Sequence, residues 1–185
     1  MKKAVGNSQS TTPRAPDMTK DWVLKKRRPV RKKQVRPYLL ELENHLGIDL
    51  SLDQAFLELG EFGPWTMVLV DKVPLVMEVE DEDTEKQVFL TLRGFLLHLE
   101  ARRWVEVDHG AIPFLMNGAD CMVAGVQDAD EEIRPGDLVW IRDEVHKRPL
   151  AIGRALLEGN ELKTELKGKG IKTLHWVGDD LWALE

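Results

Sequence analysis

At 185 residues, 43% of them hydrophobic, the chain can bury a core for one large domain or two small ones. No apolar run approaches bilayer length and the N-terminus lacks an apolar signal core, so a soluble, cytoplasmic protein without membrane contact is expected. The net charge of −6 divides into about +10 over residues 1–37, where twelve Lys or Arg face Asp17 and Asp21, and about −16 beyond, so nucleic acid would have to meet a local patch on an acidic body.

Residues 1–20 are polar, contain Pro13 and Pro16, and have almost nothing to bury; a disordered tail is expected. Then Lys25, Lys26, Arg27, Arg28, Arg31, Lys32 and Lys33 set seven cations among nine residues with no acid between them. The plain reading is a solvated basic segment; the functional one, preferred here, is a phosphate contact that relieves the mutual repulsion on binding RNA. Trp22 beside the run is expected to pack on the domain. Pro37 suits a first helical turn, with Tyr38, Leu39, Leu42 and Leu46 as its apolar stripe and Gly47 as a left-handed cap. Ser51 with Gln54 reads as a capping box opening a second helix, Leu52 to Leu59, ended by Gly60. Two strands follow, Trp65 to Val70 and Val73 to Val79, joined by Asp71 and Lys72. The acidic run Glu78, Glu80, Asp81, Glu82, Asp83 and Glu85 lacks the glycine and closing carboxylate of a calcium loop and reads as a solvated loop. Leu92, Phe95, Leu96 and Leu99 then mark a helix over Thr91 to Glu100, with His98 at the edge of the core. Residues 21–103 thus predict an α/β domain, and residues 104–185 the next one.

The second half is organised around Val105 to Val126. Val105 and Val107 alternate as a strand; Ile112, Leu115 and Met116 fall at helical spacing; Gly118 and Ala119 make a hinge; Ala119 to Val123 returns as a strand. Cys121, the single cysteine, excludes internal disulfides and thiolate-rich zinc sites, and between Asp120 and Met122–Val123 it reads as a small buried hydrophobe. Pro135-Gly136-Asp137 turns the chain into a strand, Leu138 to Arg142; a polar turn, Asp143 to Arg148, precedes another, Leu150 to Leu157. Glu158-Gly159-Asn160 turns it again, and Ile171 to Val177 and a last strand with Leu181 and Trp182 finish it. Short strands closed by Gly, Pro or Asp describe a small barrel, so the whole chain is α+β.

Asp108, Gly110, Ala111, Gly118-Ala119, Met122, Gly125, Pro135-Gly136-Asp137, Gly168, Gly170-Ile171, His175 and Asp180-Leu181-Trp182 together resemble the PUA domain, a pseudobarrel that binds RNA. The phrase Thr91-Leu92-Arg93, leading through a leucine-rich helix into Val107-Asp108, and the basic opening at Lys25 to Leu46 resemble the domain that precedes PUA in the malignant T-cell amplified sequence family of translation factors and their archaeal relatives. Val123-Ala124 before Gly125 departs from the proline found in many PUA domains. The resemblance implies structured RNA, ribosomal RNA or tRNA, as ligand, with the small ribosomal subunit as partner in initiation or recycling, together with a possible protein partner carrying an initiation-factor-like domain. Carried over to this chain, the RNA surface is Gly118, Ala119, Asp120, Lys167, Lys169, Gly170 and Lys172, extended by Arg142, Lys147 and Arg148. The physical reason is legible: glycines let a sugar-phosphate backbone come close and lysines beside them supply charge.

Nothing predicts an enzyme, a cofactor or a metal. Ser8 and Ser10 lie in the tail and Ser51 reads as a cap, so no triad serine is left over. Gly168-Lys169-Gly170 lacks P-loop spacing, and His109, His146 and His175 lack metal-ligand spacing. The expected function is non-catalytic RNA binding at the small subunit or tRNA acceptor end in translation. The alternatives are a ribosome-assembly factor, the RNA-targeting subunit of a modification complex, or a protein-binding adaptor.

Overall fold

The computed structural model describes residues 21–82 and 84–184. The tail expected at 1–20 and Asp83 of the acidic run lie outside the described residues. Two antiparallel-rich sheets are built in succession. The first is a meander in the order β1 (Leu24–Pro29), β2 (Leu57–Phe62), β3 (Trp65–Val70), β4 (Val73–Asp81) and β5 (Thr84–Leu90). Asp71 and Lys72 both take positive φ, +49° and +72°, as a two-residue hairpin turn demands when its twist must match that of the strands.

The helix α1 (Lys32–Leu46) starts five residues earlier than Pro37 suggests, and Pro37 lies inside it. Its first turn is held instead by the Arg31 N–H donating to Gln34 Oε1 at 3.0 Å. No helix forms at Leu52 to Leu59. Gln54 turns the chain with φ +64°, and β2 follows, with Gly60 in mid-strand, where a Cβ would meet Leu24 Cδ1 at 3.0 Å. Pairing with strands on both sides outweighs the local capping signal. Most of the acidic run is strand and not loop: Glu78, Glu80 and Asp81 end β4, Glu82 lies in the turn, and Glu85 stands near the start of β5. The helix α2 (Leu92–Leu97) is capped by Thr91, whose Oγ1 accepts from Gly94 N–H.

The second sheet contains β6 (Trp104–Val107), β7 (Cys121–Met122), β8 (Val126–Ala129), β9 (Leu138–Asp143), β10 (Pro149–Ala155) and β11 (Lys169–Trp176) in the order β7-β11-β10-β9-β6-β8. Only β6 and β9 run parallel. Between β6 and β7 stand a 3₁₀ turn, His109–Ala111, and the short helix α3 (Ile112–Leu115). The strand expected over Ala119 to Val123 shrinks to β7 because Val123–Gly125 coils into another 3₁₀ turn. The turn expected at Glu158 to Asn160 opens a helix, α4 (Gly159–Thr164), and Leu181 and Trp182 form a turn rather than a strand.

The two sheets share a core. Leu138, Trp140, Ile152, Leu174 and Leu181 pack with the apolar residues of the first sheet, and the Phe95 ring stacks on Trp140 with centroids 4.7 Å apart. Polar joints add direction. Gln87 donates to Gly136 O and accepts from Leu138 N–H, each at 3.0 Å. Arg154 reaches Asp81 at 2.5 Å, and Arg93 donates to Trp182 O at 2.9 Å while its guanidinium lies over the Trp182 ring. His175, 1% exposed, donates from Nδ1 to Asp179 Oδ2 (2.8 Å) and accepts the Leu92 N–H at Nε2 (3.3 Å), so one imidazole ties β11 to α2. A second core, including Val105, Val107, Leu115, Ile141 and Ile171, fills the barrel.

Candidate nucleic-acid interface

The glycine hinge is shaped by an aromatic ring. Gly118 adopts φ +77°, and a Cβ there would meet Trp176 at 2.7 Å, so this position needs both the left-handed backbone and the missing side chain. From the hinge the chain runs onto the outer strand β7, where Met122 pairs with Lys169 and Cys121 with Ile171. Thr173 clasps the hinge: its Oγ1 donates to Ala119 O and its N–H to Asp120 Oδ1, both at 2.9 Å. Lys169 Nζ lies 2.9 Å from the other Asp120 oxygen. Asp120 is therefore a structural acceptor that spends one lysine of the expected patch.

Lys167 and Lys172 are exposed and have no ion-pair partner among the described residues. Between them Gly168 turns with φ +113° and nothing within 4 Å of where a Cβ would stand, so the backbone there is open. Gly170 differs. It is buried, and a Cβ would strike Leu162 at 2.9 Å and Val123 at 3.0 Å, which makes it a packing glycine and not a point of ligand approach. Three large apolar side chains stand in solvent on the same stretches: Phe114 on α3 (68% exposed), Met122 on β7 (50%) and Leu166 before Lys167 (86%). Leu166 next to Lys167, and Met122 paired with Lys169, form an amphipathic face of the kind that meets bases and phosphates together, and Phe114 stands at the hinge that leads into β7. Sequence reading missed all three. The available signal was Leu166, an isolated leucine between Glu165 and Lys167 in a polar turn.

The proposed extension divides. Arg142 is drawn inward, its side chain 12% exposed, with Nη2 3.1 Å from Glu106 and its guanidinium 4.4 Å from the Trp104 ring centroid. Lys147 pairs with the other Glu106 oxygen. Arg148 remains exposed. The loop that carries these residues is organised by Asp143, which is buried and accepts from the N–H groups of His146 (2.6 Å) and Arg148 (2.8 Å). Burial alone would push the Asp143 carboxyl up; the backbone N–H groups aimed at it outweigh burial and hold it below the usual carboxylate range. Burial pushes the Cys121 thiol up to about 12, so the sole cysteine is a core residue.

The basic segment also splits. Lys25 to Arg28 lie on β1, the outer strand of the first sheet, and Lys32 and Lys33 open α1. Lys26 pairs with Glu61 (2.9 Å), Arg27 with Glu58 (2.8 Å) and Lys32 with Asp53 (2.7 Å). Lys25, Arg28 and Lys33 make no ion pair among the described residues and stay exposed, as does Arg31. Trp22 packs edge-on against Phe62 and Trp65 at 5.6 and 5.2 Å.

Residues 103–177 match the PUA domain family. An uncharacterised protein of Methanocaldococcus jannaschii is 40% identical over 161 residues, which cover 86% of this chain and 96% of that protein. Translation machinery-associated protein 20 of Saccharomyces cerevisiae is 37% identical over 89 residues, 45% of this chain and 49% of its own, so the match spans about half of that relative. Among solved structures, a hypothetical protein of Pyrococcus horikoshii, 30% identical, superposes with a TM-score of 0.71 over 85% of this chain and 98% of its own.

Proposed function

We propose that this chain, which carries a PUA domain over residues 103–177 and is homologous to the Methanocaldococcus protein and to the yeast translation machinery-associated protein, binds structured RNA without catalysing a reaction and works in translation. Its place is the small ribosomal subunit or the tRNA acceptor end, in the cytoplasm. The observation that carries this reading is the face around Gly168, where unpaired Lys167 follows exposed Leu166 and Met122 lies across the β7–β11 pairing, with unpaired Lys172 further along β11 and exposed Phe114 at the hinge, its carbonyl accepting the Ala119 N–H. The lysines neutralise phosphates, the open glycine turn admits the backbone, and the apolar groups meet unstacked bases. A second contact comes from Lys25 and Arg28 on the outer strand of the first sheet and Lys33 in the first turn of α1. The shared core holds the two surfaces in one orientation, so each RNA contact positions the other.

Sedimentation with small ribosomal subunits and with free tRNA across a salt series tests the reading. The expected result is salt-sensitive comigration, weakened when Lys25, Arg28 and Lys33 are changed to alanine. Absence of binding to either RNA at low salt overturns it.

A further inference from the structure

A cleft of about 300 Å³ opens between α3 and the loop from β9 to β10, separate from the Gly168 face. Its floor is apolar: Val107, Ile112, Met116 and Leu150. Two imidazoles, His109 and His146, stand on its walls. Both are exposed, and neither ring makes a hydrogen bond or ion pair with the described residues.

Each histidine is presented by a turn that a carboxylate locks. Asp108 Oδ1 accepts the Ala111 N–H at 3.0 Å, which sets the 3₁₀ turn beginning at His109. Asp143 does the same for His146, and the Glu144 N–H donates to Val107 O at 3.1 Å, tying that loop to the cleft floor. Lys147 in the loop takes φ +57°. Hydrogen bonds thus fix the backbone of both walls, which lowers the ordering cost of a ligand. Arg148 stands among the lining residues as an exposed cation.

Asp143, engaged by the loop N–H groups, and exposed Glu144 also line the cleft, so the apolar floor and flat ring walls describe a site for a planar heterocycle, and Arg148 is the one lining cation that can meet a phosphate attached to it. The volume lies at the lower end of small-ligand sites and suits one base. We propose that this cleft receives a single unstacked nucleobase of the bound RNA, stacked against His109 and His146, with Arg148 meeting its phosphate. The inference rests on the RNA-binding reading above. Helix α3 carries both the exposed Phe114 and the cleft residue Ile112, so an RNA crossing α3 reaches the cleft.

The test uses the full chain, ¹⁵N-labelled and titrated with AMP, with ribose 5-phosphate as the control for phosphate attraction alone. AMP is expected to shift the amides of His109, Val145, His146 and Leu150 saturably, and ribose 5-phosphate to leave them in place. A short RNA duplex with one unpaired 3′ adenosine is expected to bind about five- to tenfold tighter than the blunt duplex, and that ratio to fall to one in the double variant His109→Ala/His146→Ala. Equal shifts from the two small ligands, or an overhang ratio unchanged in the double variant, overturn the proposal. Blunt-duplex binding with no overhang gain removes the cleft and leaves RNA binding standing. Occupancy by AMP with no binding of either RNA at low salt removes the RNA reading, and with it the source of the base.

Discussion

Replacing Lys167 and Lys172 together by alanine isolates the electrostatic part of the interface. Both are exposed and unpaired among the described residues, whereas Lys169 holds Asp120, whose other oxygen anchors the Thr173 N–H. Lys169 therefore stays in place, and the double change leaves stability within about 0.5 kcal/mol. Each phosphate contact adds roughly 0.7 to 0.9 to the slope of log affinity against log salt. Losing two lowers the slope by about 1.4 to 1.8 and weakens binding about 25- to 60-fold at 0.1 M salt, roughly 2 to 2.5 kcal/mol, with the curves converging near 1 M. Fluorescence anisotropy on a structured RNA from 0.05 to 0.5 M salt reads both quantities. Parallel lines for wild type and variant would refute the assignment, because a phosphate contact cannot be lost without its released counterions.

Phe114→Ala removes an exposed ring, so it should leave the melting temperature unchanged and weaken binding of unpaired RNA by about 1 to 3 kcal/mol; equal affinity for wild type and variant would take Phe114 out of the interface. His175→Ala leaves the Leu92 N–H buried without an acceptor and opens a void between the sheets, a loss of about 3 to 5 kcal/mol in urea unfolding; less than 1 kcal/mol would mean the tie is not strained by its removal. The lowered Asp143 carboxyl contributes stability that is complete above the unfolded value of 3.8 and is lost as pH falls through the folded value, so Asp143→Asn should flatten the acid limb of a urea-midpoint profile below that pH. Iodoacetamide at pH 8 should label Cys121 only after unfolding, since the native thiol stays protonated and covered; rapid native labelling would contradict its burial.

Strands that are bracketed by turn residues and paired mainly with chain neighbours were legible, as β3 and β4 are: alternation and the Asp71-Lys72 turn both point to one hairpin. The strand β2 was not, because Ser51 and Gln54 carry a sound local helix signal that gives way to ladders on both sides. The strand β5 was hidden because its exposed N-terminal end bears the charges that usually mark a loop, among them Lys86, which lies 3.6 Å from Glu80. The helix α4 was missed behind Gly159, whose role is steric: a Cβ there would stand 2.1 Å from Asp130 O.

The same limit governs the interface. A sequence displays how many cations a segment carries, whereas a ligand meets only the charge left after the fold has paired them. Lys26, Arg27 and Lys32 are answered by Glu61, Glu58 and Asp53, at least 21 positions away in the chain. Arg142 is answered by Glu106, 36 positions back, and by two tryptophan faces. None of those partners is visible from the basic run or from the Asp143 turn. Local composition agrees with the fold at one position: no acid flanks Lys172 within four residues, and Lys172 and Lys167 are both exposed without an ion pair among the described residues. Those two lysines keep their charge in the fold, and the salt dependence of RNA binding should follow them together with the unpaired Lys25, Arg28 and Lys33, not the full count of cations at the N-terminal end.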